Sequence, residues 1–262
     1  MRHLLHRIKN LVSPSSSDSE SFPRSITVQA LGESFQFRAY SEVEVYRTQH
    51  FGGERTALEL FMGALQDDDV VYDIGASVGL FAVAAGQQVH SGNIYAFEPD
   101  PETRSRLEEN LHLNDIENAS VIPWAASDES SHVTLYTDGV SGYAPTMRSQ
   151  EREGAPTGTV DVKTHTLDEA IASKELQPPT FLKIDIEGAE ILCLRGAKDL
   201  LSGAFGARPR AVFVEIHPEF LPDYGATHED VTEILEQNNY CAVWQAGRDA
   251  QNHRLYIHTS MY

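Results

Sequence analysis

The segment Asp73-Ile74-Gly75-Ala76-Ser77-Val78-Gly79 constrains this chain more than any other. It follows the apolar run Val70-Val71-Tyr72 and leads into Leu80-Phe81-Ala82-Val83-Ala84-Ala85, which has the composition of a buried helix. A strand that ends in a glycine-rich turn and then opens a helix lets the backbone approach a ligand and aims free N–H groups at it. The spacing is DxGxxxG, not the GxGxxG of nicotinamide and flavin sites. A second apolar run, Asn93-Ile94-Tyr95-Ala96-Phe97, ends at Glu98, nineteen residues beyond Gly79. A carboxylate at that distance is placed to accept hydrogen bonds from ribose hydroxyls. In this order and spacing the two signals predict a site for an adenosine ribose built on Asp73, Gly75, Ala76, Gly79 and Glu98.

Strand and helix patterns alternate over most of the chain. Pro99 and Pro101 open a helix through Leu107, Leu111 and Leu113, and a third strand follows at Ala119 to Ile122. Phe181 to Asp185 and Ala211 to Val214 read as buried strands, and Tyr240 to Trp244 with Arg254 to Ile257 as an antiparallel pair at one edge. Such alternation calls for a doubly wound, mostly parallel seven-stranded α/β sheet covered on both faces, with right-handed crossovers and the motifs at its carboxyl edge. Ile26-Thr27-Val28 and Phe35-Gln36-Phe37 flank Gly32 as a hairpin laid across this domain, and Glu54 to Leu65 as a helix leading into the first motif. The organisation expected is a basic amphipathic segment with a Ser-rich linker over residues 1–24, then one domain over 25–262.

Residues 1–12 put Leu4, Leu5, Ile8, Leu11 and Val12 on one helical stripe, with Arg2, Arg7 and Lys9 off it. The stripe fits a helix in weak contact with an anionic membrane surface or, alternatively, a poorly ordered or self-docked terminus. Asp138 to Thr159 holds four glycines and is long for a simple connection. Either a loop over the active site, bringing Ser141 and Tyr143 to substrate, or a solvated insertion accounts for it.

The formal net charge of −19 argues against any general affinity for nucleic acid. Only five lysines occur, and the acids are spread evenly, which suits solubility in concentrated salt. Two cysteines, Cys193 and Cys241, form no CxxC pair and point to a reducing interior. No apolar stretch approaches bilayer-spanning length and no signal-peptide core is evident, so the expected location is the cytoplasm or the inner face of the membrane.

In the second half, Lys183, Asp185 and Glu187 lie on or just after one buried strand, and Glu215 and His217 end the next. Side chains two apart in a strand share a face, so these groups converge on one crevice if the two strands are neighbours and the first stays extended to Glu187. His217 is the first candidate for a general base, because an unperturbed imidazole titrates near working pH, with Glu215 or Asp185 orienting it. Lys183 would serve as base only if burial lowered its pKa; a structural pair with Asp185 is preferred. Two carboxylates and an imidazole also form a donor set for a hard divalent ion. No dedicated metal spacing is present, and base catalysis is taken over metal.

The DxGxxxG turn resembles the first motif of class I S-adenosylmethionine-dependent methyltransferases. The order DIGASVG, AFEPDP, AASD, HTLDEA, LKIDIEGAE and VEIHP resembles the FkbM-type methyltransferase family over roughly Glu54 to His217. The resemblance implies a class I Rossmann-like fold, S-adenosylmethionine as methyl donor, and a hydroxyl of a saccharide, glycolipid or natural product as acceptor. It implies that Asp73, Gly75 and Gly79 line the donor, that Glu98 holds its ribose, and that Asp128 of AASD lies near the adenine. It further implies that Asp185, Glu187, Glu215 and His217 face the acceptor. From its residues alone Asp128 reads equally as a turn residue. The alternative function is a Rossmann-type nucleotide binder without methyl transfer, either an oxidoreductase or a non-catalytic protein.

Overall fold

The computed structural model describes residues 21–51, 55–137, 158–248 and 251–261. The basic amphipathic segment, most of the Ser-rich linker, and Ser141 and Tyr143 lie outside the described residues. Seven strands form the central sheet: β3 (Val70–Ile74), β4 (Asn93–Phe97), β5 (Ala119–Ile122), β9 (Phe181–Ile184), β10 (Ala211–Ile216), β11 (Tyr240–Arg248) and β12 (Gln251–His258). Their order is β11-β12-β10-β9-β3-β4-β5. Neighbours from β10 to β5 are parallel, and β12 runs antiparallel to both β10 and β11. The expected mostly parallel seven-stranded sheet with an antiparallel pair at one edge is therefore present.

Strands β3, β9 and β10 are buried along their whole length, which explains why they read as unbroken apolar runs. Each face of the sheet carries its own apolar core. On one side Phe61, Phe81, Phe181 and Phe213 pack edge to face; on the other Tyr72, Phe97 and Trp124 do the same work beneath Leu194 and Leu200. The hairpin β1 (Arg24–Ala30) and β2 (Glu33–Ala39) adds Val28, Phe35 and Phe37 to the first core. Asn110 of the helix Pro101–Leu113 ties it down, accepting from the Arg38 backbone N–H at 2.8 Å.

Two further features were not read from the sequence. Glu42–Gln49 is a helix (α1), although Glu-Val-Glu-Val alternates like a strand. Its start is fixed by reciprocal capping: Ser41 accepts from the Glu44 N–H at 3.1 Å, and the Glu44 carboxylate accepts from the Tyr40 N–H at 2.6 Å. The segment 138–159, read either as a loop over the site or as a solvated insertion, ends in structure. Gly158 and Thr159 open β8 (Gly158–His165), which pairs with β7 (Ser131–Thr137) and β6 (Ala125–Ala126) in a small second sheet. Residues 138–157 lie outside the described residues. Among the described residues no helix is long and apolar enough to cross a membrane.

Candidate active site

At the carboxyl ends of β3, β4 and β9 an open cleft is lined by Gly75, Ser77, Glu98, Trp124, Asp185 and Glu187. Parallel α/β sheets present their ligand crevices at this edge. Gly75 adopts φ +81°, and a Cβ there would meet the Asp185 carbonyl oxygen at 2.0 Å. The glycine therefore lets β3 turn directly against the end of β9, which brings the donor motif and the acidic residues of the second half into one wall. The turn is pinned across the sheet as the Gly75 and Ala76 N–H groups donate to the Phe97 carbonyl.

Glu98 is buried, with one carboxylate oxygen accepting from the Ser77 N–H at 3.0 Å and the other from the Asp100 N–H at 2.9 Å. Burial outweighs those hydrogen bonds and raises its pKa to about 7. The cleft wall beside it is apolar, formed by Phe97, Trp124, Ala126 and Leu135. A buried carboxylate next to an apolar wall suits a nucleoside, with hydroxyls on the acid and base on the wall.

The other expected donor residues sit elsewhere. Asp73 is fully buried below the turn and pairs with Lys183 at 2.7 Å, so it supports the turn and does not reach the cleft surface. Ala76 packs in the core. Gly79 caps the helix Leu80–Gly86 at φ +97°, and a Cβ would press on Leu107 at 2.8 Å, so its smallness serves helix packing. Asp128 is exposed and absent from the cleft lining; Trp124, Ala125 and Ala126 provide that part of the wall instead. The implied adenine contact through Asp128 therefore finds no geometric support.

On the acceptor side β9 and β10 are neighbours, as anticipated, and Asp185, Glu215 and His217 bring donor atoms within 4.8 Å of one another. The strand does not stay extended to Glu187. It ends at Ile184, and Glu187 reaches the cleft through a left-handed turn at φ +50°. Such a conformation is costly for a residue with a Cβ and is typical of functional sites. Glu187 Oε2 is buried and has no hydrogen-bond partner among the described residues.

Two proton-acceptor expectations need correction. Burial favours a neutral His217, but the Glu190 hydrogen bond, then Glu215 and Glu187, outweigh it and hold the imidazole well above its ordinary pKa. The Nδ1–Glu190 Oε1 contact is 2.5 Å in a fully buried setting. The surrounding carboxylates thus favour the charged form of the ring, which makes His217 a poorer proton acceptor than an isolated imidazole. Lys183 is likewise a poor base. Burial alone would lower it, yet Asp73 and then Asp185 dominate and raise it. Its main partner is Asp73, with Asp185 at 3.7 Å. Burial pushes the Asp185 carboxyl up, but Lys183, His217, His253 and Arg47 bring it down to about 2.

Three residues of the site were not anticipated. Glu190, the last acid of DIEGAE, clamps His217. His253 on β12 meets Glu215 Oε2 at 3.2 Å, through an antiparallel register that pairs Glu215 with His253. Arg47 of α1 lines the cleft. Only Glu190 had a sequence signal, as a neighbour of Glu187 within one motif.

The strand order, the antiparallel β12 and the cleft at the carboxyl edge define a Rossmann-like class I methyltransferase fold. A Streptococcus mutans protein named for SAM-dependent methyl transfer shares that fold at a TM-score of 0.51, with 8% identity over 93% of this chain and 58% of that one. The chain belongs to the FkbM methyltransferase domain family, whose profile (Methyltransferase FkbM domain) matches residues 73–241. Its relatives include the hexuronic acid methyltransferase AglP of Haloferax volcanii, 29% identical over 79% of this chain and 77% of AglP. The 31-O-demethyl-FK506 methyltransferase FkbM of Streptomyces tacrolimicus is 27% identical over 68% and 75% of the two chains. The 2-O-methyltransferase NoeI of Sinorhizobium fredii is 24% identical over 52% and 60%. The chain is thus a methyltransferase of this family.

Proposed function

We propose that this protein transfers the methyl group of S-adenosylmethionine to a hydroxyl of a saccharide, glycolipid or related natural product. The observation that carries the reading is the buried Glu98 carboxylate, set beside the Gly75 turn and an apolar wall in the cleft where the acidic cluster also opens. Relatives named for a hexuronic acid, for 31-O-demethyl-FK506 and for a 2-O position support an oxygen acceptor.

Bound in the cleft, the donor supplies a methyl group activated by sulfonium charge. Glu98 accepts the ribose hydroxyls, Gly75 and Ser77 bring backbone close, and Phe97, Trp124 and Leu135 offer the base an apolar surface. Holding donor and acceptor in line supplies much of the acceleration, up to about 7–11 kcal/mol for ideal placement. An alcohol still has to lose its proton. Glu187 is the acceptor-facing group best fitted to receive it, since its Oε2 is buried and lacks a hydrogen-bond partner among the described residues. As the new O–C bond forms and the C–S bond breaks, the C–S electron pair stays on sulfur and the hydroxyl proton passes to Glu187.

Calorimetry with S-adenosylhomocysteine and a radiolabelled methyl-transfer screen over glycan extracts test the proposal. Binding of the nucleoside and label in an alkali-stable ether are expected. Glu187→Gln should lower kcat about 10²–10⁴-fold while leaving S-adenosylhomocysteine affinity intact. Binding of reduced nicotinamide in place of S-adenosylhomocysteine would refute the reading.

A further inference from the structure

Beside the donor half of the cleft lies a second constellation that proton transfer to Glu187 leaves unexplained. Asp185, Glu215 and His217 place two carboxylate oxygens and one imidazole nitrogen within 4.8 Å of one another. His217 is almost wholly buried, with Nδ1 taken by Glu190. That hydrogen bond turns Nε2 towards Glu215 Oε1 at 3.7 Å and Glu187 Oε2 at 4.0 Å, both beyond hydrogen-bond distance. A buried polar nitrogen facing two carboxylates across such gaps leaves room for something between them.

The surroundings have the form of an outer ligand shell. Metal-bound histidines commonly donate their second ring nitrogen to a carboxylate, as His217 does to Glu190. Ligating carboxylates are themselves hydrogen-bonded, and Glu215 meets His253 Nε2 through its other oxygen at 3.2 Å. Charge points the same way. Asp185, Glu187, Glu190 and Glu215 surround the gap, and the one lysine beside them, Lys183, sits closer to Asp73 at 2.7 Å and the Gly75 carbonyl at 3.0 Å than to Asp185 at 3.7 Å. Asp185 and Glu187 line the open cleft, so coordination positions on that side would face the acceptor.

We propose that Asp185 and Glu215 oxygens with His217 Nε2 form a divalent-cation site of the Mn²⁺ or Mg²⁺ type. Donor–metal distances of about 2.0–2.4 Å put neighbouring donors roughly 3 Å apart and opposite ones nearer 4.5 Å, so the side chains need only small rotations to close on an ion. A cation there lowers the pKa of a hydroxyl in its open position, easing the proton's departure to Glu187. Glu190 and His253 are positioning residues in this arrangement. The catalytic part of the inference rests on the methyltransferase reading; the cation site does not.

The test is Mn²⁺ titration of the chelator-stripped full chain, read by the electron paramagnetic resonance of free Mn²⁺, with S-adenosylhomocysteine calorimetry on the same samples. One tight Mn²⁺ per chain is expected, displaced by excess Mg²⁺. Asp185→Asn and Glu215→Gln should each weaken it about 100-fold or more, and Glu190→Gln about 10–100-fold. Asp67→Asn, an exposed acid ahead of β3, should leave it unchanged. Absence of bound Mn²⁺ in the wild-type chain, or equal weakening by Asp67→Asn, overturns the site whatever the buried variants do to folding. S-adenosylhomocysteine binding without Mn²⁺ binding sinks this inference alone, and the reverse outcome sinks the donor reading alone.

Discussion

Replacing Glu98 by glutamine tests the donor site, because the structure fixes what changes. Each carboxylate oxygen accepts one backbone N–H, from Ser77 and from Asp100. Glutamine retains one acceptor and turns an NH₂ toward the other donor, which costs about 1–3 kcal/mol for the unsatisfied buried group. Against this, the wild-type side chain carries a burial penalty on its charge, seen in a pKa raised to about 7 from 4.5. Its contribution to stability is complete below about 4.5 and is lost as pH rises through about 7, amounting to about 3 kcal/mol. The two effects offset near neutrality, so Tm should move by only a few degrees. Binding has no such offset. Losing a charged acceptor for ribose hydroxyls costs about 2–3 kcal/mol, or roughly 30–150-fold in Kd. Calorimetric S-adenosylhomocysteine titrations should also show wild-type affinity falling as pH drops below about 7, roughly tenfold per unit, and Glu98→Gln showing no such slope. A variant that binds within about twofold of wild type with the same pH dependence would mean that no ribose sits on this carboxylate.

Two further outcomes follow from the geometry. Lys183→Met leaves the Asp73 charge buried without its partner and should cost about 3–5 kcal/mol, read as a lower urea midpoint at unchanged m; a loss under about 1 kcal/mol would show that the pair is not structural. Asp128→Ala should change S-adenosylhomocysteine affinity by less than about twofold, since the side chain is exposed and off the cleft; a loss of tenfold or more would restore the adenine role that its motif implied.

Much of the fold was legible because parallel strands buried on both faces leave a simple trace. Val70–Ile74, Phe181–Ile184 and Ala211–Ile216 are apolar runs closed by polar residues, and the acids at their ends mark the carboxyl edge. The helix Glu42–Gln49 was not legible, since two valines alternating with glutamates imitate a strand and the deciding contacts are caps made by Ser41 and Glu44. Nor was the pairing of β7 with β8, whose register joins residues on either side of a long intervening segment.

For the site, sequence determined which chemical groups arrive at the cleft: a glycine turn, a ribose-type carboxylate, and a set of acids with one histidine. Their protonation and their partners were decided only by tertiary structure. His217 looks like a free base in isolation and is biased towards its charged form because Glu190 arrives from the helix that follows β9. Lys183 looks like a partner for Asp185 two residues along, and at 3.7 Å it is one, but it closes more tightly on Asp73 of the adjacent strand at 2.7 Å. The reason is electrostatic: in a buried site the charge state of each group is set by neighbours a few ångströms away, and adjacency across a sheet is invisible to spacing along the chain.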